Sequence, residues 1–135
     1  MHFTVHQKVL FKHCDPAGIV FYPRYFEMIN DAVEAMFADL LNWSFEEVHT
    51  KGAVPTASFK VDFKSPSRHG DNLDLKLHLL RLGGSSLTLK TTALCEEELR
   101  FTAEQVIVFV NAEGRPTRWP APVVTKINSI MEGAQ

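Results

Sequence analysis

The chain has 135 residues, 45% of them hydrophobic and 22% charged, which is the ordinary composition of one globular domain spanning residues 1–135. A formal net charge of −2 at pH 7 argues against a nucleic-acid partner, which would require a basic face. The apolar runs are only a few residues long, so no membrane partner is predicted. The two cysteines, at positions 14 and 95, lie far apart and no secretory signal pattern is seen, which predicts a cytoplasmic protein with reduced thiols.

The first predicted element is a strand, because residues 3–12 alternate between apolar and polar side chains. If the extended conformation continues, His13 and Asp15 share the parity of Phe11 and point toward the core. Pro16 favours an extended backbone for Asp15, since the residue before a proline avoids the helical region. A purely structural alternative is that Asp15 is a turn residue, because Asp-Pro and Ala-Gly pairs are common in turns.

A long helix is predicted over residues 23–41, where the polar side chains form only one narrow stripe. The remaining apolar surface is wider than the core-facing stripe of an ordinary surface helix, so other structure should enclose it. At about 1.5 Å per residue this helix is close to 30 Å long, which calls for a broad sheet around it. Ser44 and Glu47 have the spacing of a capping box and predict a short second helix that ends near residues 50–52.

The rest of the chain is mostly strand. Period-two patterns predict strands over residues 57–63, 73–79, 87–95 and 100–110, and turn residues or the acidic triplet at 96–98 separate them. The last strand ends in the residues VIVFV, which are apolar on both faces and predict cover on both sides. A short helix is predicted after Pro122.

One strand, one enclosed helix and four further strands predict an α+β fold, in which an antiparallel five-stranded sheet wraps around a long central helix. The uncovered face of a single sheet and the doubly apolar end of the last strand both need a cover. A partner subunit is the natural one, so we predict a homodimer and expect a dimer of dimers, a homotetramer.

The segment from His13 to Phe26 carries the most specific motif in the chain. An Asp-Pro-Ala-Gly turn, an apolar stretch and a Tyr-Pro-x-Tyr helix start occur together between a strand and a buried helix. This combination resembles the hotdog-fold acyl-CoA thioesterases of the 4-hydroxybenzoyl-CoA thioesterase type. The resemblance implies the hotdog fold, an acyl-CoA substrate, Asp15 as the catalytic carboxylate, and a backbone N–H near Tyr22 that binds the thioester carbonyl.

Thioester hydrolysis also requires a group that holds the developing oxyanion. A helix N-terminus offers unpaired N–H groups and a positive dipole for this purpose. Pro23 has no N–H, so the donor must come from Tyr22, Arg24 or Tyr25. Asp15 could attack the carbonyl as a nucleophile or activate water as a general base, and both routes stay open.

Four further residues are predicted to contact the substrate. Asn30 matches a helix position that is acidic and near the acyl ring in the 4-hydroxybenzoyl enzyme, although a satisfied core amide is the alternative. Thr56 is a second pocket candidate. The loop of residues 81–87 lacks the arginine pair that the 4-hydroxybenzoyl enzyme uses near the CoA phosphates, so Arg115 and Arg118 are the predicted phosphate contacts.

These features predict an acyl-CoA thioesterase that acts on a small aromatic or a short- or medium-chain acyl group. Two alternatives remain: a hotdog hydratase, although the Asp-x-Asn-Pro-x-His signature is missing, and a non-catalytic acyl-binding or scaffold protein. The six histidines do not have a metal-ligand spacing such as His-Glu-x-x-His, so neither a metal nor a cofactor is predicted.

Overall fold

A computed structural model describes residues 2–133 of the chain. The helices are α1 (Pro23–Asp39), α2 (Phe45–Val48) and α3 (Ala121–Gly133), and a 3₁₀ helix covers Phe11–His13. The strands are β1 (Phe3–Lys8), β2 (Gly52–Ala53), β3 (Thr56–Phe63), β4 (Asn72–Leu82), β5 (Ser86–Cys95), β6 (Glu98–Val108) and β7 (Val110–Asn111). No helix within residues 2–133 has the length and apolar character needed to cross a membrane.

The main sheet has five antiparallel strands in the order β1-β4-β5-β6-β3, so β1 and β3 are its edges. Strands β2 and β7 form a separate antiparallel pair. Glu96 and Glu97 have positive φ angles of 49° and 72°, as the two-residue turn between β5 and β6 requires. The predicted α+β architecture is confirmed.

One face of the sheet packs against α1. Leu73, Leu75 and Leu77 are buried on β4, because residues two apart on a strand point to the same side. Helix α1 contributes Tyr25, Met28, Ile29, Ala32, Val33, Met36 and Phe37 to the same core. The tail helix α3, which is longer than the sequence suggested, adds Val123, Ile127 and Ile130.

The apolar end of the last strand is covered on one side by the chain itself. Phe109 is buried, its ring stacks on Trp119 at a centroid distance of 5.5 Å, and Trp43 meets it edge-on at 5.3 Å. The Trp119 indole N–H donates to the Ser86 carbonyl at 3.0 Å and fixes this arrangement. The predicted cover is therefore present on the Phe109 side, where the chain itself supplies it instead of a partner.

The extended conformation of β1 does not continue to the predicted catalytic turn. The Leu10 N–H donates to His13 Nδ1 at 2.8 Å and closes the 3₁₀ helix, which leaves Phe11 80% exposed. The prediction that Phe11, His13 and Asp15 share an inward parity is wrong: Phe11 faces solvent, His13 is buried, and Asp15 is half-buried.

Candidate active site

The segment between β1 and α1 folds back on itself as a short loop. The Asp15 N–H donates to the Ile19 carbonyl at 2.9 Å, and the Phe21 N–H donates to the His13 carbonyl at 2.9 Å. Gly18 has a φ of +81°, a conformation that a residue with a side chain rarely adopts. The loop therefore presents Asp15 near its tip and leads directly into α1.

Only one of the two Asp15 carboxylate oxygens makes a hydrogen bond within its own turn. Its Oδ1 accepts a hydrogen bond from the Ala17 N–H at 2.9 Å, as in an Asx turn. Its Oδ2 makes no hydrogen bond to any residue between 2 and 133. The turn interpretation and the catalytic one are thus compatible, because one oxygen holds the turn and the other is free.

The start of α1 leaves a single candidate donor for an oxyanion. The Arg24 N–H donates to the Phe21 carbonyl at 2.8 Å, and the Tyr25 N–H donates to the Tyr22 carbonyl at 3.1 Å. Pro23, the first helical residue, has no N–H. Of the three donors considered from the sequence, the Tyr22 N–H alone makes no hydrogen bond within the described part of the chain.

A cavity of about 260 Å³ opens beside this helix start, and its lining residues are Ile19, Val20, Tyr22, Tyr25, Phe63, Lys64, Ser65 and Pro66. The Phe63 ring lies 6.1 Å from that of Tyr22 and 5.9 Å from that of Tyr25. We call the three exposed rings of Phe21, Tyr22 and Phe63 the aromatic patch; it lies at the edge strand β3.

Residues 65–71, the anchor loop, form a wall of this site. The Val20 N–H donates to the Ser67 carbonyl at 2.8 Å, and the Val9 N–H donates to the Asp71 carbonyl at 2.8 Å. The anchor loop is therefore bonded both to Val20, at the end of the loop that carries Asp15, and to Val9, the residue after β1. Its position controls where α1 begins relative to Asp15.

Arg100 on β6 holds the anchor loop in place. Its side chain is 11% exposed and donates to Asp71 Oδ2 at 2.7 Å, to Ser67 Oγ at 3.2 Å and to the Pro66 carbonyl at 3.2 Å. Its Nε lies 2.8 Å from Glu98 Oε1, but the N–H is not directed at that oxygen, so this contact is an ion pair without a hydrogen bond.

The surroundings of the Asp71 carboxylate favour its ionised form. Hydrogen bonds from the Arg68 N–H, at 2.9 Å, and from Arg100 hold the pKa of Asp71 below its usual range. Asp71 thus stabilises the turn of the anchor loop.

His13 is buried next to the loop that carries Asp15. Burial lowers the pKa of the imidazole, and the nearby Lys12 lowers it further. The neutral ring accepts the Leu10 N–H. No hydrogen bond joins His13 to Asp15 among residues 2–133, which favours a packing role for the histidine.

A second cavity, of about 410 Å³, lies between α1 and β3. Asn30 and Thr56, both predicted as substrate contacts, line it together. The other lining residues are Val33, Glu34, Phe45, His49, Ala53, Val54, Pro55, Gln105 and Ile107. We call this space the Asn30 cavity.

The two cavities of one chain are separated. From Tyr22 to Asn30 the helix rises about 12 Å, at about 1.5 Å per residue. Between them the rings of Phe26 and Phe59 meet edge-on at 5.1 Å. Asp15 and Tyr22 are therefore brought together by their loop, and Asn30 and Thr56 by their cavity, but the two pairs do not meet within one chain.

Arg115 and Arg118 lie far from the helix start. They follow β7, where the Arg115 N–H donates to Asn111 Oδ1 at 3.0 Å, and both are exposed. The neighbouring Trp119 contacts Phe37 near the C-terminal end of α1, at a centroid distance of 6.5 Å. Within one chain these arginines are thus at the opposite end of α1 from the loop that carries Asp15.

Gln105 is a buried polar residue of this cavity that was not predicted from the sequence. It lies on the inward-facing parity of β6 with Phe101, Ala103 and Ile107, all buried. A polar residue at an inward position of an apolar strand was the signal that could have identified it.

A family model described as the thioesterase-like superfamily matches residues 9–127. No curated protein sequence matches the chain. The fold is similar to that of a 1,4-dihydroxy-2-naphthoyl-CoA thioesterase from Synechocystis, with 21% identity, a TM-score of 0.87, and coverage of 96% of this chain and 98% of that one.

Two further solved structures are similar over most of their length. A gentisyl-coenzyme A thioesterase is 22% identical with a TM-score of 0.85, covering 93% of this chain and 99% of that one. A Staphylococcus aureus protein in complex with CoA is 20% identical with a TM-score of 0.91, covering 98% of this chain and 85% of that one. These likenesses show a shared fold.

Proposed function

The chain belongs to the thioesterase-like superfamily, and on that premise we propose that it hydrolyses acyl-CoA thioesters with Asp15 as the catalytic carboxylate. The family match confirms the hotdog-thioesterase resemblance and the enzyme class predicted from the sequence. The observation that carries the proposal is the pairing of a free carboxylate oxygen on Asp15 with a free backbone N–H on Tyr22, at the two ends of one short loop.

In the proposed mechanism the Tyr22 N–H binds the thioester oxygen, and the dipole of α1 favours the negative charge that develops there. In one route Asp15 Oδ2 bonds to the carbonyl carbon, the C–S bond breaks to release CoA thiolate, and water cleaves the resulting anhydride. In the other route Asp15 takes a proton from a water molecule whose oxygen attacks the carbonyl carbon. The C–S bond then breaks, which releases CoA thiolate and leaves the free acid, and the proton held by Asp15 returns to solvent or to the thiolate.

The active form in this proposal is at least a homodimer. Strand β3 is an open edge, and the aromatic patch beside it exposes Phe63 by 50% and Tyr22 by 58%. Unpaired edges and large apolar patches are the features that a partner covers. Antiparallel pairing of β3 with its copy, centred near the middle of the strand, sets Phe63 beside the partner's Thr56.

The same two-fold symmetry would bring together the two parts of the site that are separated within one chain. The two copies of α1 run antiparallel, so the partner's Asn30 cavity lies next to Asp15 and Tyr22. The partner's segment 115–118 comes to the same end, which supports Arg115 and Arg118 as contacts for the CoA phosphates. Sedimentation at micromolar concentration tests the assembly: a dimer or a dimer of dimers is expected, and a monomer contradicts it.

The acyl group in this proposal is a small aromatic or a short- to medium-chain group. The Asn30 cavity, about 410 Å³, is of the size that small-molecule sites have. Two proteins of the same fold act on aromatic acyl-CoA thioesters, as their names state. The cytoplasmic location and the lack of nucleic-acid, membrane, metal and cofactor partners stay predictions from the sequence.

Two substitutions of one residue test the oxyanion assignment. Tyr22→Pro removes the N–H, and the φ of −51° at this position suits proline. Tyr22→Ala removes the same ring but keeps the N–H, and so is the matched control. Losing one oxyanion donor costs about 10²- to 10³-fold in kcat, so we expect that additional loss in the proline variant. Equal turnover in the two variants would show that this N–H is not the donor.

The competing functions are separated by a simpler assay. Pure protein is offered short, medium, long and aromatic acyl-CoAs, and the release of free thiol is measured. Release from at least one acyl-CoA supports the proposal. Hydration of crotonyl-CoA without thiol release would favour a hydratase, and binding without either reaction would favour an acyl-binding protein.

A further inference from the structure

Gln105 is a buried amide with one unsatisfied end. The residue is 5% exposed, and its Nε2 donates to Thr56 Oγ1 at 2.9 Å. Its Oε1 is buried and has no hydrogen-bond partner among residues 2–133. A buried acceptor left unpaired is unfavourable and uncommon in native proteins, so its presence at this position calls for an explanation.

The position of Gln105 suggests that a ligand in the cavity supplies the hydrogen-bond donor that Oε1 lacks. The side chain lines the Asn30 cavity, whose other polar groups include Asn30 and Glu34 on α1. Asn30, Glu34 and Thr56 are exposed, so water competes for any hydrogen bond that they form with a ligand. Gln105 is buried, and a donor that reaches its amide meets little such competition.

We propose that Gln105 determines acyl specificity by accepting, through Oε1, a hydrogen bond from a neutral donor at the far end of the acyl group. This inference rests on the proposed function and adds the substrate class to it: acyl-CoAs that carry a distal hydroxyl, whether on a ring or on an aliphatic chain. A site that hydrogen-bonds a substrate hydroxyl rejects the analogue lacking it, because the buried polar group is then left unpaired.

The chain offers a matched control for this role. Thr91 Oγ1, on the neighbouring strand β5, is also buried without a partner among the described residues. Thr91 is not a lining residue of the Asn30 cavity. Thr91→Val therefore removes a similar buried polar group without touching the proposed binding site.

The test measures kcat/KM for two matched pairs of substrates: 4-hydroxybenzoyl-CoA with benzoyl-CoA, and omega-hydroxyoctanoyl-CoA with octanoyl-CoA. In the wild-type protein we expect a preference of at least about tenfold for the hydroxylated member of at least one pair. Gln105→Leu should bring that ratio close to one by slowing the hydroxylated substrate alone. Thr91→Val should leave the ratio unchanged.

Equal losses on both members of each pair in Gln105→Leu would indicate a structural role and overturn the inference. If that variant does not fold, Gln105→Met repeats the test with an unbranched side chain. A wild-type protein that hydrolyses all four substrates without preference overturns this inference alone. A wild-type protein that hydrolyses none of the four also overturns this inference, whereas the proposed function fails only if no acyl-CoA of the wider panel releases thiol.

Discussion

Removing Arg100 should destabilise the protein and displace the loop that carries Asp15. The substitution Arg100→Met keeps the aliphatic length but removes the hydrogen bonds to Asp71, Ser67 and Pro66. A hydrogen bond to a charged group contributes about 1.5–3 kcal/mol, and breaking a fully buried ion pair costs about 3–5 kcal/mol. The Asp71 side chain is 28% exposed, so solvent screens part of this, and we expect a loss of about 2–4 kcal/mol.

The assay is a double-mutant cycle by urea unfolding with Arg100→Met, Asp71→Asn and the double variant. The Arg68 N–H and Arg100 donate to the same Asp71 oxygen, which Asn at position 71 keeps, so the cycle isolates the contribution of the Asp71 charge to its pair with Arg100. We expect a coupling energy of about 1–3 kcal/mol. The kcat of Arg100→Met should also fall if Asp15 is catalytic as proposed, because the Ser67 carbonyl of the anchor loop accepts the Val20 N–H at the end of the loop that carries Asp15. A loss below about 0.5 kcal/mol, the scale of an ordinary surface substitution, would refute the reasoning.

Three other predictions follow from the contacts around the site. Because burial lowers the pKa of His13 below 6.5, the neutral imidazole stabilises the fold above pH 6.5, and this stabilisation is lost as the pH falls from 6.5 through the folded-state pKa. The Tm difference between wild type and His13→Asn should therefore be larger at about pH 8 than at about pH 5, and an equal difference at the two pH values contradicts this. Alanine at both Arg115 and Arg118 should raise the KM for acyl-CoA at low salt, and an unchanged KM refutes the phosphate assignment. Phe59→Ala should open the barrier between the two cavities and raise kcat/KM for long acyl chains relative to short ones, whereas an unchanged ratio contradicts that role.

The parts of the fold that the sequence predicts well are those governed by local periodicity. Alternation identifies the buried Leu73, Leu75 and Leu77, and the narrow polar stripe identifies α1 as an enclosed helix. The Ser44 cap is confirmed as well, with the Glu47 N–H donating to its Oγ at 3.3 Å. In each case the determining interactions lie within a few residues of one another.

The parts that were missed depend on contacts that periodicity does not encode. A single hydrogen bond between Leu10 and His13 ends the extended run and turns Phe11 outward. The cover of Phe109 comes from aromatic residues on two other segments. The ion pair of Arg100 with Asp71 joins residues far apart in the chain, and only the folded sheet brings them together.

The same distinction applies to the site. Asp15 and Tyr22 share one local motif, so their joint placement could be expected from the sequence. Asn30 and Thr56 line one cavity because of how β3 runs along α1, whereas the sequence predicted each of them on separate grounds. Gln105 could be recognised only once β6 was known to place it against that cavity.

The central claim is that the Asp15 carboxylate performs the chemistry rather than only holding its turn. Asp15→Asn keeps an oxygen that can accept the Ala17 N–H but removes the charge needed for attack or proton removal. Asp15→Ala, the companion variant, also removes the turn hydrogen bond and should cost about 1 kcal/mol of stability. The decisive measurement is the kcat of Asp15→Asn on the best acyl-CoA, taken together with its Tm. We expect kcat to fall by about 10²- to 10⁴-fold with the Tm nearly unchanged, and hydrolysis at close to the wild-type rate would contradict the mechanism.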